Sequence, residues 1–135
     1  MIMRLSNWLT VVSLSLMIIF PVHASEDSEI NSAELAEMIA AGNAPAIVDT
    51  RSTFEYEAGH IPGAIHIPFW TTLWNSDKIV ASGHDPVVVY CAHGPRAYAA
   101  GMMLGLKGFP NVVYLNGHMS GWSKAKLPET VGSEP

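Results

Sequence analysis

The chain has 135 residues and a formal net charge of −5, and 14% of its residues are charged. This length fits one domain. The acidic balance argues against a nucleic acid or an anionic membrane surface as a partner, because either would call for a basic patch. The six histidines include no pair at the spacing of a helix-borne metal site, so we expect neither a metal nor a cofactor.

Residues 1–24 have the pattern of a secretory signal peptide, with Arg4 in the positive n-region and the apolar run 8–20 as the h-region. We expect cleavage after this segment, which leaves 25–135 as a single domain in the periplasm that meets the membrane only through its signal peptide. The alternative is an uncleaved membrane anchor, for which the apolar run is short. Small exported domains usually carry paired cysteines, but Cys91 is the only cysteine and has no disulfide partner within the chain.

The rest of the chain alternates between strand-like and helix-like runs, after a leader, Ser25–Asn31, that we expect to be flexible. Ser32 is the predicted N-cap of a first helix that ends near Ala41. Strands are predicted at 46–48, 65–67, 87–90 and 112–115. Helical segments are predicted at 54–58, within 69–74, from 97 to an end near 105–108, and at 121–126. Turns are predicted at 75–78 and 82–86 around a weak segment, 79–81, and the tail after Leu127 is predicted to be loose. This alternation predicts an α/β fold with a mostly parallel sheet.

The residues that carry chemistry concentrate where the strand 87–90 ends in Cys91. In an open parallel sheet, ligands collect beyond the carboxyl ends of the strands. Gly94 permits a sharp turn and Pro95 suits the first position of the following helix, so backbone N–H groups form a socket for an anion. Arg96 is unfavourable for the dipole at a helix start, and an anion bound above Cys91 explains it better. A thiol at the mouth of such a socket is expected to ionise readily and to be nucleophilic.

Three motifs resemble those of the rhodanese-like family. They are Asp49–Arg51 with Phe54–Ala64 and Ile67–Pro68, then Cys91–Ala97, and finally Val113–Gly117 with Trp122. They occur in the family's order and span about residues 32–126. The resemblance implies a three-layer α/β fold with a central, mostly parallel sheet of about five strands flanked by helices. At His118 many members have a second glycine, and we expect this departure to reshape a nearby turn and to leave the thiol loop alone.

The resemblance also implies a sulfurtransferase. Cys91 would attack the outer sulfur of a small anionic donor such as thiosulfate, carry that sulfur as a persulfide, and pass it to a thiophilic acceptor such as cyanide or a thiol. Arg96 would attract the donor. Arg51 is a secondary candidate for the donor pocket, although with Asp49 it is expected mainly to tie the strand end to neighbouring loops. The backbone N–H groups expected to hold the terminal sulfur are those of Ala92, His93, Gly94, Arg96 and Ala97.

Two other functions stay open. One is a relay that hands the persulfide to a protein partner and turns over small donors poorly. The other is a phosphatase or an arsenate reductase. Related cysteine enzymes of that kind have a loop one residue longer than the four residues between Cys91 and Arg96, and the smaller ring suits a single sulfur atom better. His93 is expected to face solvent rather than to act as a general base, and Glu55 to be structural. The aromatic segment 69–74 is interpreted either as a pocket wall or as core.

Overall fold

The computed structural model describes residues 28–82 and 85–135. The predicted signal peptide and its cleavage site lie outside the described residues and stay predictions. Within the described ranges, no helix combines the length and the hydropathy needed to cross a membrane.

A five-stranded parallel sheet forms the centre of the domain. Its strands are β1 (Ser28–Ile30), β2 (Ala46–Asp49), β3 (Ile65–His66), β4 (Val87–Tyr90) and β5 (Val112–Leu115). They lie side by side in the order β1-β5-β4-β2-β3. Every residue of β2 and β4 is buried, because these strands are covered on both faces, and their sequences are accordingly almost continuous apolar runs. The predicted α/β fold with about five mostly parallel strands is confirmed.

Helices cover both faces of the sheet. They are α1 (Ser32–Ala40), α2 (Thr53–Ala58), α3 (Thr72–Asn75), α4 (Asp77–Ser82), α5 (Pro95–Leu106) and α6 (His118–Lys124), with a 3₁₀ turn at Phe69–Thr71 before α3. Successive side chains of β4 point to opposite faces and so divide the core into two layers. Val87, Val89 and Cys91 lie in the layer under α5. Val88 and Tyr90 lie in the other layer, together with residues of α1 and α6.

The start of the described chain differs from the flexible leader predicted there. Residues 28–30 form β1, which pairs in parallel with 113–115 of β5. The N-cap of α1 is Asn31, whose Oδ1 accepts the N–H of Glu34 at 2.8 Å, so the prediction of Ser32 as the N-cap is wrong by one residue. The polar sequence of β1 carries no strand signal of its own, and pairing with a distant strand decides its structure.

The segment at 75–81 and the C-terminal tail are more ordered than the sequence predicted. The predicted turn and weak segment at 75–81 contain most of α4, because Ile79 is buried in the layer under α5 and anchors a helix there. The predicted loose tail instead packs on the loop after α2. Thr130 exchanges two backbone hydrogen bonds of 2.9 Å with His60, and the ring Nε2 of His60 lies 2.9 Å from the carbonyl oxygen of Glu134. Contacts between residues far apart in sequence determine both segments.

Candidate active site

Cys91 follows β4 directly, and the alternation of the strand turns its thiol toward α5. The residue is only 1% exposed, so the thiol lies at the floor of its loop and not at the mouth, which corrects the expectation from sequence. The chain turns back over the sulfur, and the N–H of Gly94 donates to Sγ at 2.9 Å. One of the backbone donors predicted for the anion socket is therefore already hydrogen-bonded to the sulfur.

The five N–H groups predicted to hold a sulfur are spread over this turn and the first turn of α5. Gly94 provides the contact just described. Arg96 and Ala97 lie in the first helical turn, where N–H groups have no acceptor within the helix. Ala92 is half-buried and His93 is exposed, as predicted for His93. Among the five backbone N–H groups, all within the described residues, only that of Gly94 has a hydrogen bond to Sγ, and the roles of the other four stay predictions.

Gly94 is required by the geometry of the turn. Its φ of +131° lies in a region that residues with side chains rarely adopt. A Cβ at this position would lie 3.2 Å from Nε2 of His118 and 3.2 Å from Cε2 of Tyr98, closer than ordinary van der Waals contact. Pro95 then starts α5 at a position where its missing N–H costs no helical hydrogen bond. Two rings therefore confine the loop at the residue whose N–H reaches the sulfur.

His118, where the sequence departs from the resembled family, contacts the thiol loop directly. The N–H of Cys91 donates to Nδ1 of His118 at 3.3 Å. The next two N–H groups of α6 donate to carbonyl oxygens of the loop, Met119 to Cys91 at 2.9 Å and Ser120 to Ala92 at 3.2 Å. The expectation that this residue leaves the loop alone is wrong. It failed because α6 begins at His118 rather than three residues later, so the ring is carried to the end of β4.

Arg96 and Glu55 of α2 form a two-bonded ion pair, with 2.7 Å between Nη1 and Oε2 and 2.8 Å between Nη2 and Oε1. The same carboxylate caps α2, because Oε2 accepts the N–H of Ser52 at 3.1 Å and its hydroxyl at 2.7 Å. The hydrogen bonds from Arg96 hold the pKa of Glu55 well below its usual range. Glu55 raises the pKa of Arg96 in turn, and Cys91 raises it further, so the guanidinium lies within electrostatic reach of the sulfur. Glu55, predicted to be structural, is therefore also part of the charge environment of the thiol.

Residues 31–125 match the family model of the rhodanese-like domain. The chain belongs to the rhodanese-like domain family. The probable adenylyltransferase/sulfurtransferase MoeZ of Mycobacterium tuberculosis is 32% identical over 110 residues, which are 80% of this chain and 28% of that relative. The chain thus spans under a third of the length of this curated relative.

Two solved structures show the same fold in proteins with different descriptions. The thiosulfate sulfurtransferase from Pseudomonas aeruginosa superposes with a TM-score of 0.68 at 25% identity, covering 79% of this chain and 21% of that protein. The protein RPA3614 from Rhodopseudomonas palustris, described as a possible tyrosine phosphatase, gives a TM-score of 0.66 at 23% identity, covering 78% and 86% of the two chains. The second likeness concerns the fold alone.

In this rhodanese-like domain, the contacts of Arg51 lie in the buried interior. Its Nη2 is 2.6 Å from Oδ2 of Asp49 and donates to the carbonyl oxygen of Gly59 at 2.8 Å. Its Cζ lies 5.7 Å from the ring centroid of Tyr90, which faces the layer opposite to that of Cys91. These contacts confirm that the Asp49–Arg51 pair ties the strand end to a neighbouring loop. They do not bring Arg51 to the thiol, and its role in donor binding stays a prediction.

The aromatic segment of the rhodanese-like domain is divided between core and surface. Phe69 packs against the layer under α5. Trp70 and Trp74 are 50% and 76% exposed. The interpretation as core therefore holds for Phe69, and the two tryptophans lie at the surface.

Proposed function

We propose that this rhodanese-like domain moves a sulfane sulfur from thiosulfate, or a similar anionic donor, to cyanide or a thiol through a persulfide on Cys91. Family membership and the sulfurtransferases among its relatives support sulfur transfer as the general activity. The identity of the donor and acceptor, the persulfide, and an exported location inferred from the signal-peptide pattern are the finer parts of the proposal.

The observation that carries the proposal is the hydrogen bond of 2.9 Å from the N–H of Gly94 to Sγ of Cys91. A backbone donor held by the fold stabilises negative charge on sulfur without reorganising during the reaction. Four residues separate Cys91 from Arg96, and Cys91 is almost completely covered. A donor that presents a single terminal sulfur atom suits this narrow approach better than a phosphorus atom surrounded by oxygens.

The reaction takes two steps. The Cys91 thiolate attacks the outer sulfur of thiosulfate, a new S–S bond forms, and the bond between the two thiosulfate sulfurs breaks so that sulfite leaves with its electron pair. The acceptor then attacks the outer sulfur of the persulfide, and the thiolate of Cys91 leaves with the electron pair of the broken S–S bond. In both steps Arg96, close to the sulfur, offers a positive charge to the anionic reactant.

The alternatives differ from this proposal at identifiable points. A relay to a protein partner shares the first step and changes only the acceptor of the second. A phosphatase or arsenate reductase requires a tetrahedral oxyanion in the loop. The likeness to the possible tyrosine phosphatase gives that reading no support beyond the fold.

Intact-mass analysis after exposure to thiosulfate tests the proposal. The wild-type protein is expected to gain the mass of one sulfur atom and to lose it on addition of cyanide, with formation of thiocyanate. The Cys91→Ser variant is expected to gain none. Equal sulfur uptake by both proteins contradicts the proposal. Hydrolysis of a generic phosphoester or reduction of arsenate that depends on Cys91, without sulfur uptake, would replace it by the phosphatase or reductase reading.

Substitutions of Arg96 and Glu55 are expected to change the KM for thiosulfate in opposite directions. Glutamine at position 55 keeps the helix cap but removes the negative charge that competes with an anionic donor for Arg96. Glu55→Gln is therefore expected to lower the KM for thiosulfate, and Arg96→Gln to raise it, each by about fivefold, equivalent to the roughly 1 kcal/mol of a partly exposed charge pair. Steady-state kinetics at low and high salt check this, because salt should reduce both effects. An increase of KM in both variants would mean that Glu55 serves to orient Arg96.

A further inference from the structure

One imidazole ring, that of His118, touches both ends of the thiol loop. Its Nδ1 accepts the N–H of Cys91 at 3.3 Å. On its other side, Nε2 and Cδ2 lie so close to Gly94 that a Cβ there would be 3.2 Å and 3.6 Å from them. The loop between these residues is the one that directs the Gly94 N–H at the sulfur. The ring therefore lies against both the start and the end of the turn.

The contact with Cys91 defines the protonation state of the ring. A backbone N–H can donate only to an unprotonated nitrogen, so Nδ1 of His118 carries no proton and the neutral ring holds its proton on Nε2. Burial lowers the pKa of His118, and the nearby His93 lowers it further, whereas Glu29 of β1 acts in the opposite direction. Tyr98 of α5 presents its ring to His118 at 6.0 Å between centroids and adds no charge as long as its hydroxyl stays protonated.

The backbone conformation of His118 is uncommon for a residue with a side chain. His118 has a φ of +50°, in the left-handed region, directly after Gly117 at +77°. Glycine adopts this region most readily, and histidine is enriched there, like asparagine and aspartate, among the residues with side chains. The residue is only 6% exposed, and its ring, rather than its backbone, makes the contact with Cys91.

We propose that His118 is a positioning residue whose neutral ring holds the Cys91–Gly94 turn in the conformation that aims the Gly94 N–H at the sulfur, so that sulfur transfer requires this ring to be unprotonated. The inference rests on the proposed sulfur transfer and adds a residue to it. Protonation places an N–H of the ring against the N–H of Cys91, and the hydrogen bond between them is then lost. Because burial favours the neutral form, the loss occurs at a lower pH than it would for an exposed histidine.

Two substitutions of His118 distinguish the effect of losing the hydrogen-bond acceptor from the effect of protonating the ring. In His118→Asn, Oδ1 occupies the place of Nδ1, accepts the same N–H and does not titrate, and asparagine tolerates a positive φ. In His118→Gly, the backbone is relaxed and the acceptor is gone. The rate of sulfur uptake by Cys91 is measured by mass from about pH 4 to about pH 8, a range that extends below the ordinary titration of histidine. The rate of alkylation of Cys91 by iodoacetamide is measured in parallel, because it requires no sulfur donor.

We expect the His118→Asn variant to keep the wild-type rate at the upper end of this range and to lose the part of the acid dependence that comes from protonation of the His118 ring. The His118→Gly variant should be about tenfold slower at the upper end, as for the loss of one hydrogen bond in the transition state. Thermal unfolding of each variant identifies a folding defect, and if His118→Gly does not fold, the pH profile of His118→Asn decides alone.

Three results would overturn the inference: the same acid dependence in wild type and His118→Asn, a rise in alkylation rate as His118 becomes protonated, or loss of the acid step in His93→Gln but not in His118→Asn. Failure of the proposed function gives a different pattern. In that case no protein takes up sulfur from thiosulfate, while the alkylation profiles of the variants still report on His118.

Discussion

The Gly94→Ala variant is expected to take up sulfur from thiosulfate about 100-fold more slowly than the wild type, the effect of losing one preorganised donor in an anion socket. The added Cβ meets Nε2 of His118 and Cε2 of Tyr98 at 3.2 Å, and alanine rarely adopts the φ of +131° found here. The turn must therefore change, and the N–H that contacts Sγ turns away with it. Single-turnover uptake, followed by mass, measures the rate.

The matched control is Gly63→Ala in the turn before β3. Gly63 also has a positive φ, +82°, but no atom lies within 4 Å of an added Cβ. Its backbone strain should cost about 1 kcal/mol of stability without changing the rate. If Gly94→Ala reacts as fast as this control, the Gly94 N–H takes no part in catalysis. The hydrogen bond from Gly94 to Sγ then no longer supports the proposed function.

Replacement of Arg51 by methionine is expected to lower the free energy of unfolding by about 3–5 kcal/mol, because it leaves a buried charge without its partner. Asp49 is fully buried, and Arg51 is the cation that pairs with it. The hydroxyl of Tyr90 also donates to Asp49, at 2.7 Å, and accepts the N–H of Ile61 at 3.1 Å. Burial, followed by the charge of Asp49, raises the pKa of Tyr90, so the hydroxyl stays a donor. Urea unfolding measures the loss.

Two controls test whether the loss of stability comes from the unpaired buried charge of Asp49. Asp49→Asn combined with Arg51→Met removes both charges and should be more stable than the sum of the single effects implies. Arg96→Met breaks a pair that is about 30% exposed and should cost no more than about 1 kcal/mol. The KM for thiosulfate of folded Arg51→Met tests the predicted donor role of Arg51. An unchanged KM leaves Arg51 a structural residue, whereas a loss of affinity without a loss of stability would make it a donor ligand.

Local patterns in the sequence were sufficient for the central strands and for the turn from Cys91 to Arg96. Buried parallel strands are continuous apolar runs, and a glycine and a proline between a strand and a helix mark the turn. Local patterns could not predict which distant residues contact Cys91 and Arg96. His118 lies 27 positions from Cys91, and Glu55 lies 41 positions from Arg96. The sequence placed Glu55 in the predicted helical segment 54–58, but nothing in the sequence indicates which cation the carboxylate faces.

The same limit explains the segments at the two ends of the described chain. The strand β1 exists because 28–30 find an open edge at β5, and the tail is held because Thr130 pairs with His60. Neither segment has a hydrophobic pattern that would predict its structure, since both are short and polar. Their structure depends on surfaces that other parts of the chain create.

Tyr90 and Cys91 are neighbours in sequence, but they lie in opposite layers of the core. The first belongs to the ionic network of Asp49, and the second to the reactive loop. No partner is shared between the contacts described for Arg51 and those described for Gly94, so the free-energy effects of substitutions at the two positions should add. During evolution, or in engineering, the ionic network of Asp49, Arg51 and Tyr90 can accumulate changes that alter stability, while changes in the turn at Gly94 alter reactivity. The pleat of one strand thus separates two traits that selection can change independently.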